Sequence, residues 1–413
     1  MRFRVLTTAS LLALAGCHLH SDPPGEAPSG VVVTPGEGVV TVNWNRDPEL
    51  TYWIFYKPGS SVAPAATGVP LIFDAVPPRV VAGLANDTQY AFIMNATRED
   101  SKAGPSSPIV VKTPRLAGAE WASGTALGTN LNGIAFNGSR LVVVGDSGTI
   151  LAGDYNYTST NPRGVTAWTP PTSLPAGFSA TTNLSAVIFS GQQFVALGID
   201  GSILTSTDGL TWTSPSTIST GGANMNAIAF GTVSGAGHYV VVGNGGNIFT
   251  SSDLVTWAQV ANTGSHLYSV SFLNGGFVAT GASGTLLTSA DGSAWTGGQV
   301  LGITNALRGA AFRSAPTAVY VVVGDVGTIL TSTDGAAWNP IPITPPLTQN
   351  LNSVIFGSRF VAVGQGGAVV FSDDGTTWLP TTTPPDTSNL ARVVFTPAMY
   401  VAVGEAGANA FSK

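Results

Sequence analysis

Apolar residues recur along the chain in short alternating runs separated by Gly, Asn, Pro and Ser. A period of two is typical of half-buried β-strands, and the turn residues mark where each strand ends. From Leu116 onward the runs repeat as a unit. Each unit has an apolar strand ending in Phe, a second strand ending in Gly, a Gly-containing turn, a third strand and a polar turn followed by Trp. The pattern predicts an all-β protein built largely from one repeat.

The spacing of the strand-ending phenylalanines predicts the architecture. They are Phe136, Phe189, Phe230, Phe272, Phe312, Phe356 and Phe395, at intervals of 39 to 53 residues. An interval near 40 residues accommodates four short strands with their turns, which is one blade of a β-propeller. We therefore predict a seven-bladed β-propeller over residues 115–413. The last unit ends at Lys413 without its Trp strand, so we expect the spare strand at Trp121 to close the last blade.

Five units carry a short polar motif, such as SILTSTDGLTW from Ser202 to Trp212. An Asp in a turn accepts hydrogen bonds from backbone N–H groups, Gly takes the positive φ, and a following Trp fills the gap between blades. A catalytic role would require five active sites on one molecule. We predict structural turns at five positions: Asp208, Asp253, Asp291, Asp334 and Asp374. The third blade has Leu254 where the other four copies have Gly.

The motif resembles the Asp-box, or bacterial neuraminidase repeat, of sialidases and of propeller-type photosystem II assembly factors. It is one residue shorter than the family pattern. A sialidase-like enzyme would need three clustered arginines, a Tyr–Glu pair and a separate acid. No such constellation can be picked out, so we assign no catalytic residue, cofactor or metal site. Because fold alone carries no activity, the question of an enzyme stays open with a non-catalytic role favoured.

Residues 28–114 show strand alternation with a different arrangement. Trp44 falls where fibronectin type III modules bury a tryptophan, and Leu84 and Tyr90 have the spacing of their tyrosine corner. The segment resembles that family, although residues 60–78 are longer and richer in Pro than is usual there. We predict a fibronectin type III-like β-sandwich that acts as a spacer.

The first 17 residues have the pattern of an export signal. Arg2 and Arg4 precede a short apolar run, and Leu14-Ala15-Gly16-Cys17 resembles the lipobox of bacterial lipoproteins. The resemblance implies cleavage before Cys17 and lipidation of that residue with palmitate or a related acyl chain. Residues 18–27 then form a flexible tether. By resemblance to enterobacterial sorting, His18 rather than Asp after the cysteine favours the outer membrane or cell surface over the inner membrane.

Composition and charge narrow the class of partner. Charged residues make up 9% of the chain and the net charge is −6, which argues against nucleic acid because nucleic-acid binding requires a basic surface. Cys17 is the only cysteine, so no intramolecular disulfide is expected. We expect a monomer that contacts the membrane through its lipid and binds an unidentified protein or glycan.

A ligand is expected on the propeller face opposite the Asp turns, where the turns between second and third strands lie. Most polar residues there repeat in every blade and suit turns, so residues that break the pattern are the better candidates. We name seven residues as the possible binding face: Arg308, Arg392, His266, Tyr268, Glu405, Asp146 and Asp325. The first blade also has a polar insertion at 154–167, which is either a partner contact or a tolerated loop.

Three hypotheses follow. The first is a non-catalytic, lipid-anchored binding scaffold that uses its propeller face. The second is a glycan-active hydrolase with a diverged sialidase-like site. The third is a periplasmic assembly factor for a membrane complex.

Overall fold

The computed structural model describes residues 22–36, 38–64, 68–86, 88–98, 101–114, 117–155, 165, 167–381, 384–397 and 399–412. Cys17 and the rest of the export signal lie outside these residues, as does most of the insertion at 154–167. The chain divides into two compact units. One takes most of the residues up to Thr113, and the other contains Pro114 onward.

In its described residues, the N-terminal unit has seven strands in two sheets, with the orders β1-β2-β5 and β4-β3-β6-β7. Trp44 packs on Tyr52 with ring centroids 5.4 Å apart, so the tryptophan identified from the sequence is part of the buried interior. Leu84 and Tyr90 are also buried. The strands are β1 (Val32–Gly36), β2 (Val39–Asn43), β3 (Thr51–Pro58), β4 (Leu71–Ala75), β5 (Arg79–Ala82), β6 (Tyr90–Thr97) and β7 (Val110–Lys112).

The C-terminal unit is a β-propeller of seven antiparallel sheets, as predicted. We number the blades 1 to 7 from the N-terminus, and in each blade the first strand lies innermost. The innermost strand of each blade contacts that of the next, and the innermost strand of blade 7 contacts that of blade 1. The ring is therefore complete.

The strands of blades 1 to 4 follow one another along the chain. They are β9 (Leu131–Phe136), β10 (Arg140–Gly145) and β11 (Ile150–Asp154) in blade 1; β12 (Leu184–Phe189), β13 (Phe194–Gly198), β14 (Ser202–Ser206) and β15 (Thr213–Thr217) in blade 2; β16 (Met225–Val233), β17 (Ala236–Gly243), β18 (Asn247–Ser251) and β19 (Ala258–Asn262) in blade 3; and β20 (Leu267–Leu273), β21 (Gly276–Gly281), β22 (Thr285–Ser289) and β23 (Thr296–Gln299) in blade 4.

Blades 5 to 7 continue the order, with one strand borrowed from the N-terminal side. They contain β24 (Leu307–Arg313), β25 (Val319–Gly324), β26 (Ile329–Ser332) and β27 (Asn339–Pro340) in blade 5; β28 (Leu351–Phe356), β29 (Phe360–Gly364), β30 (Val369–Ser372) and β31 (Leu379–Pro380) in blade 6; and β32 (Leu390–Phe395), β33 (Tyr400–Gly404), β34 (Asn409–Ser412) and β8 (Trp121–Ser123) in blade 7. Short 3₁₀ turns occupy Asn244–Gly246, Ala282–Gly284, Gln365–Gly367 and Glu405–Gly407.

The Trp121 strand closes blade 7, as the sequence predicts. β8 pairs antiparallel with β34, placing Trp121 opposite Ser412 and Ser123 opposite Ala410. The pairing covers the edge that the end of the chain would leave open. Blade 1 is the exception among the seven: within the described residues its outer edge carries only isolated bridges, Ala152 with Thr169 and Tyr155 with Val165.

One tryptophan packs in each gap between adjacent blades. Trp212, for example, is 2% exposed and belongs to a cluster with Val142 of blade 1 and Phe194 of blade 2. Burying such a ring contributes more apolar area than any other side chain could. Among the described residues there are seven inter-blade clusters of this kind, and their tryptophans are Trp168, Trp212, Trp257, Trp295, Trp338, Trp378 and Trp121.

Candidate functional site

The five repeated Asp residues act on their own turns. Asp208 accepts hydrogen bonds at Oδ1 from the backbone N–H groups of Leu210 (2.8 Å) and Thr211 (2.7 Å) and from the Ser206 hydroxyl. The indole N–H of Trp212 then donates to the Gly209 carbonyl oxygen at 3.1 Å. The equivalent aspartates accept the same backbone bonds: Asp253, Asp291, Asp334 and Asp374.

These hydrogen bonds keep the turn carboxylates ionised. The N–H of Ala337 is the main cause of a lowered pKa at Asp334, which falls to about 2. The pKa is lowered at the other four as well. A carboxyl group that donates protons in catalysis requires a raised pKa instead. The five aspartates therefore have the electrostatics of turn acceptors.

The turns also require a left-handed residue after the Asp. Gly209 has φ +74°, and Leu254 adopts φ +64° at the same position of blade 3. The Leu254 side chain is 3% exposed and packs into the cluster between blades 2 and 3. Apolar burial thus holds a backbone conformation that leucine rarely adopts.

The opposite face of the propeller carries the turns between the second and third strands of each blade, and we call it the turn face. Here the loop before an inner strand accepts a hydrogen bond from the tip of the preceding blade's turn. Asn183 Oδ1, for instance, accepts from the N–H of Ser147 at 2.9 Å, and Ser147 has φ +54°. The same contact joins Asn130 to Ala406, His266 to Gly245, Asn350 to Val326 and Asn389 to Gly366. These acceptors, four asparagine side-chain oxygens and the Nδ1 of His266, link neighbouring blades.

A cavity of about 330 Å³ opens at the axis of the turn face, and we call it the chamber. In every inner strand a β-bulge leaves the second residue without a cross-strand partner. Bulges of this kind redirect a side chain, and here all seven bulge residues line the chamber. They are Asn132, Ser185, Asn226, Tyr268, Arg308, Asn352 and Ala391. Each blade therefore contributes one bulge residue to a common wall, which is polar in every blade except blade 7, where the residue is Ala391.

Two arginines line the chamber in different electrostatic settings. Arg308 forms a two-pronged ion pair with Asp325, with Nη2 3.1 Å from Oδ2, and its guanidinium lies 5.2 Å from the centroid of the Tyr268 ring. Arg392 instead donates Nη1 to backbone carbonyl oxygens, 2.9 Å to Ala391 and 3.5 Å to Asn352. Within the described part of the chain, no carboxylate forms an ion pair with Arg392.

The structure brings together four of the seven residues named from the sequence. Arg308, Arg392, Tyr268 and Asp146 line the chamber, and Asp325 adjoins it through Arg308. His266 and Glu405 lie in the contacts at the rim, where the carboxylate of Glu405 accepts from the Asn389 amide at 2.6 Å. Asp146 accepts from the amides of Asn130 (2.9 Å) and Asn132 (2.8 Å).

Sequence reasoning missed the chamber residues Asn132, Ser185, Asn226 and Asn352. It predicted the ring of amides two residues earlier, in the loops that precede the inner strands, at Asn130, Asn183, Asn224 and Asn350. The available signal was position, because each missed residue follows directly after the Leu or Met that begins an inner strand. The bulge that turns this position toward the axis is a property of the sheets and not of the local sequence.

The chamber is suited to holding a polar or anionic group. The Ser185 hydroxyl donates to the carbonyl oxygen of Leu197 at 3.3 Å, so no base activates it. The described residues contain no group of three or more His, Cys, Asp or Glu side chains that could hold a metal ion. In the same part of the chain, no helix combines the length and the apolar character needed to cross a membrane.

No protein-family model matches this chain, and no curated protein matches it. Among solved structures it resembles YCF48 from Cyanidioschyzon merolae, with 18% identity, a TM-score of 0.53 and coverage of 71% of this chain and 98% of the other. The structure of YCF48 bound to a D1 peptide has 18% identity and a TM-score of 0.55, and the match covers 71% of this chain and 94% of the other. A catalytically inactive virginiamycin B lyase from Staphylococcus aureus with quinupristin has 10% identity and a TM-score of 0.58, and the match covers 71% of this chain and 98% of the other. At these identities the likeness shows a shared propeller fold and no more.

Proposed function

We propose that this chain is an exported lipoprotein that binds a protein partner through the turn face of its propeller. In this proposal Cys17 carries the lipid and residues 18–27 act as a tether. Residues 28–114 serve as a fibronectin type III-like spacer that holds the propeller off the membrane. The lipid anchors the protein to the outer membrane or the cell surface. The support for the anchor is the sequence pattern of the first 17 residues.

The observation that carries the proposal is the chamber, where seven blades place one bulge residue each around a common opening. The rim of the same face includes an exposed apolar side chain, Val326, which is 56% exposed. Val326 also has φ +54°, a strained conformation for a β-branched residue. Residues held in sparsely populated backbone conformations cluster at functional sites such as ligand clamps.

A protein ligand is favoured over a glycan by one comparison. The YCF48 structure with a D1 peptide shows that a propeller of this fold can hold a peptide. By analogy, an assembly factor for a membrane complex is a specific form of the proposed scaffold. A diverged glycan hydrolase is the weaker alternative, because the chamber presents two arginines and its carboxylate, Asp146, is engaged by amides.

The test compares two valines of nearly equal exposure on opposite faces. Val326 lies on the turn face, and Val255, 58% exposed, lies in the Asp turn of blade 3. Full-length protein carrying Val326→Lys or Val255→Lys would be captured from detergent-solubilised native membranes after cross-linking. We expect one dominant membrane partner with wild type and Val255→Lys, and a clear loss with Val326→Lys.

Two results would contradict the proposal. Equal capture by both variants would remove the turn face as the binding surface. Release of sugar from a labelled glycan by the purified protein would instead support the hydrolase.

A further inference from the structure

The inner strands align residue by residue through their bulges, and one position is filled differently in blade 7. The residue after the bulge is small in six blades: Gly133, Ala186, Ala227, Ser269, Gly309 and Ser353. In blade 7 the same position holds Arg392, which pairs with Val403. Small residues around a propeller axis leave space, and the Arg392 side chain occupies that space.

Arg392 lies at the boundary between two cavities. It lines both the chamber and a second cavity of about 160 Å³ that extends along the axis between the inner strands. Arg308 is the only other charged residue that lines both cavities among the described residues. A ligand entering from the turn face would therefore meet the two guanidinium groups at the bottom of the chamber.

Among the described residues, no carboxylate forms an ion pair with Arg392. Asp325 pairs with Arg308, and Asp146 accepts from the amides of Asn130 and Asn132. Burial lowers the pKa of Arg392, and the positive charge of Arg308 lowers it further. A guanidinium nevertheless remains protonated in proteins. Arg392 is half-buried, and a partly desolvated charge without an ion-pair partner is unfavourable, so the site favours an incoming anion.

We propose that Arg392 is the anchor of a carboxylate-binding site at the base of the chamber. The planar guanidinium matches a carboxylate through two parallel N–H bonds. Within the described residues, Nη1 is its only nitrogen that donates to a protein acceptor. Asp146 lines the same chamber and would repel a doubly charged phosphate more strongly than a singly charged carboxylate, which favours the monocarboxylate. The amides of Asn226 and Asn352 supply polar walls around the bound group.

The test uses the full chain and acetate as the probe. Thermal unfolding of the propeller would be followed in acetate and in chloride at equal pH and ionic strength, because a ligand that binds only the folded state raises the midpoint. Wild type should show a saturable rise with acetate. Arg392→Ser, which places the residue of blades 4 and 6 in blade 7, should weaken acetate binding by about tenfold or more.

Arg392→Ser should also be at least as stable as wild type in chloride, since the partly desolvated charge is gone. Arg392→Gln gives a second variant of nearly the original length. Arg140→Ser is the matched control, because Arg140 pairs with Asp154 away from the chamber, and its acetate response should equal that of wild type. An acetate response that persists in both Arg392 variants would overturn the assignment, as would tighter binding of inorganic phosphate.

This site does not depend on the protein partner proposed above, and the two can fail separately. The carboxylate can come from a free organic acid or from an acidic group of the partner. If acetate competes with partner capture by the wild-type protein, the partner supplies the group. If acetate binds without affecting capture, a free acid does.

Discussion

Closure of the ring by the Trp121 strand can be tested with a single substitution. Trp121 is 3% exposed and packs between blades 6 and 7, and its indole N–H donates to the Gly118 carbonyl oxygen at 2.8 Å. Replacing it with Ala removes about 200 Å² of buried apolar surface and leaves that carbonyl without its donor. We expect Trp121→Ala to lower the free energy of unfolding of the propeller by about 3–5 kcal/mol.

Trp378 is a close control, because it differs from Trp121 in connectivity more than in environment. It is also 3% exposed, and its indole N–H donates to the Gly375 carbonyl oxygen at 2.9 Å. Trp378 belongs to blade 6, whose four strands are consecutive along the chain. The two substitutions should therefore lower the free energy of unfolding by similar amounts but reduce hydrogen-exchange protection in different blades.

Native-state amide hydrogen exchange provides the assay, since it resolves each blade and separates the propeller from the N-terminal unit. Trp121→Ala should remove protection from β34 and β8, whereas Trp378→Ala should affect β30 and β31. Closure by Trp121 is refuted if Trp121→Ala lowers the free energy of unfolding of the propeller by no more than about 0.5 kcal/mol, the size expected of a surface substitution, while Trp378→Ala lowers it by about 3–5 kcal/mol. That result would mean that the last blade is complete without β8.

Three further predictions concern the turns and the anchor. The pKa of Asp334 is depressed, so its stabilising effect is present above about pH 4 and is lost as pH falls through about 2. The gap in melting temperature between wild type and Asp334→Asn should shrink over that window, and a constant gap would contradict this. Leu254→Gly relieves about 1–2 kcal/mol of left-handed strain but forfeits about 2–5 kcal/mol of buried leucine, so chemical denaturation should show a net loss of stability. A more stable variant would mean that strain dominates. Labelled palmitate should enter wild type but not Cys17→Ala, and equal labelling would refute the anchor.

Much of the architecture could be predicted from local patterns. The interval between strand-ending phenylalanines determined the number of blades, because each blade needs about 40 residues for four strands and their turns. The Asp turns were also predictable, since their Ser, Asp and Gly interact within four residues of one another. The position of Trp121 in blade 7 was also predictable, because the last repeat unit lacks a Trp strand of its own.

The candidate site was predicted only in part, for a physical reason. Arg308, Arg392 and Tyr268 could be named from the sequence because they break the repeat. The difference in electrostatic setting between the two arginines could not be predicted. Arg308 pairs with Asp325, whereas Arg392 has no ion-pair partner in the described part of the chain, and this difference depends on which atoms meet at the axis. Asn132 and its equivalents were not predictable for the same reason, because a β-bulge brings them to the chamber. By itself the sequence determined the repeat and its turns, which are local. Only the tertiary structure decided which side chains share the axis, because seven separate segments converge there.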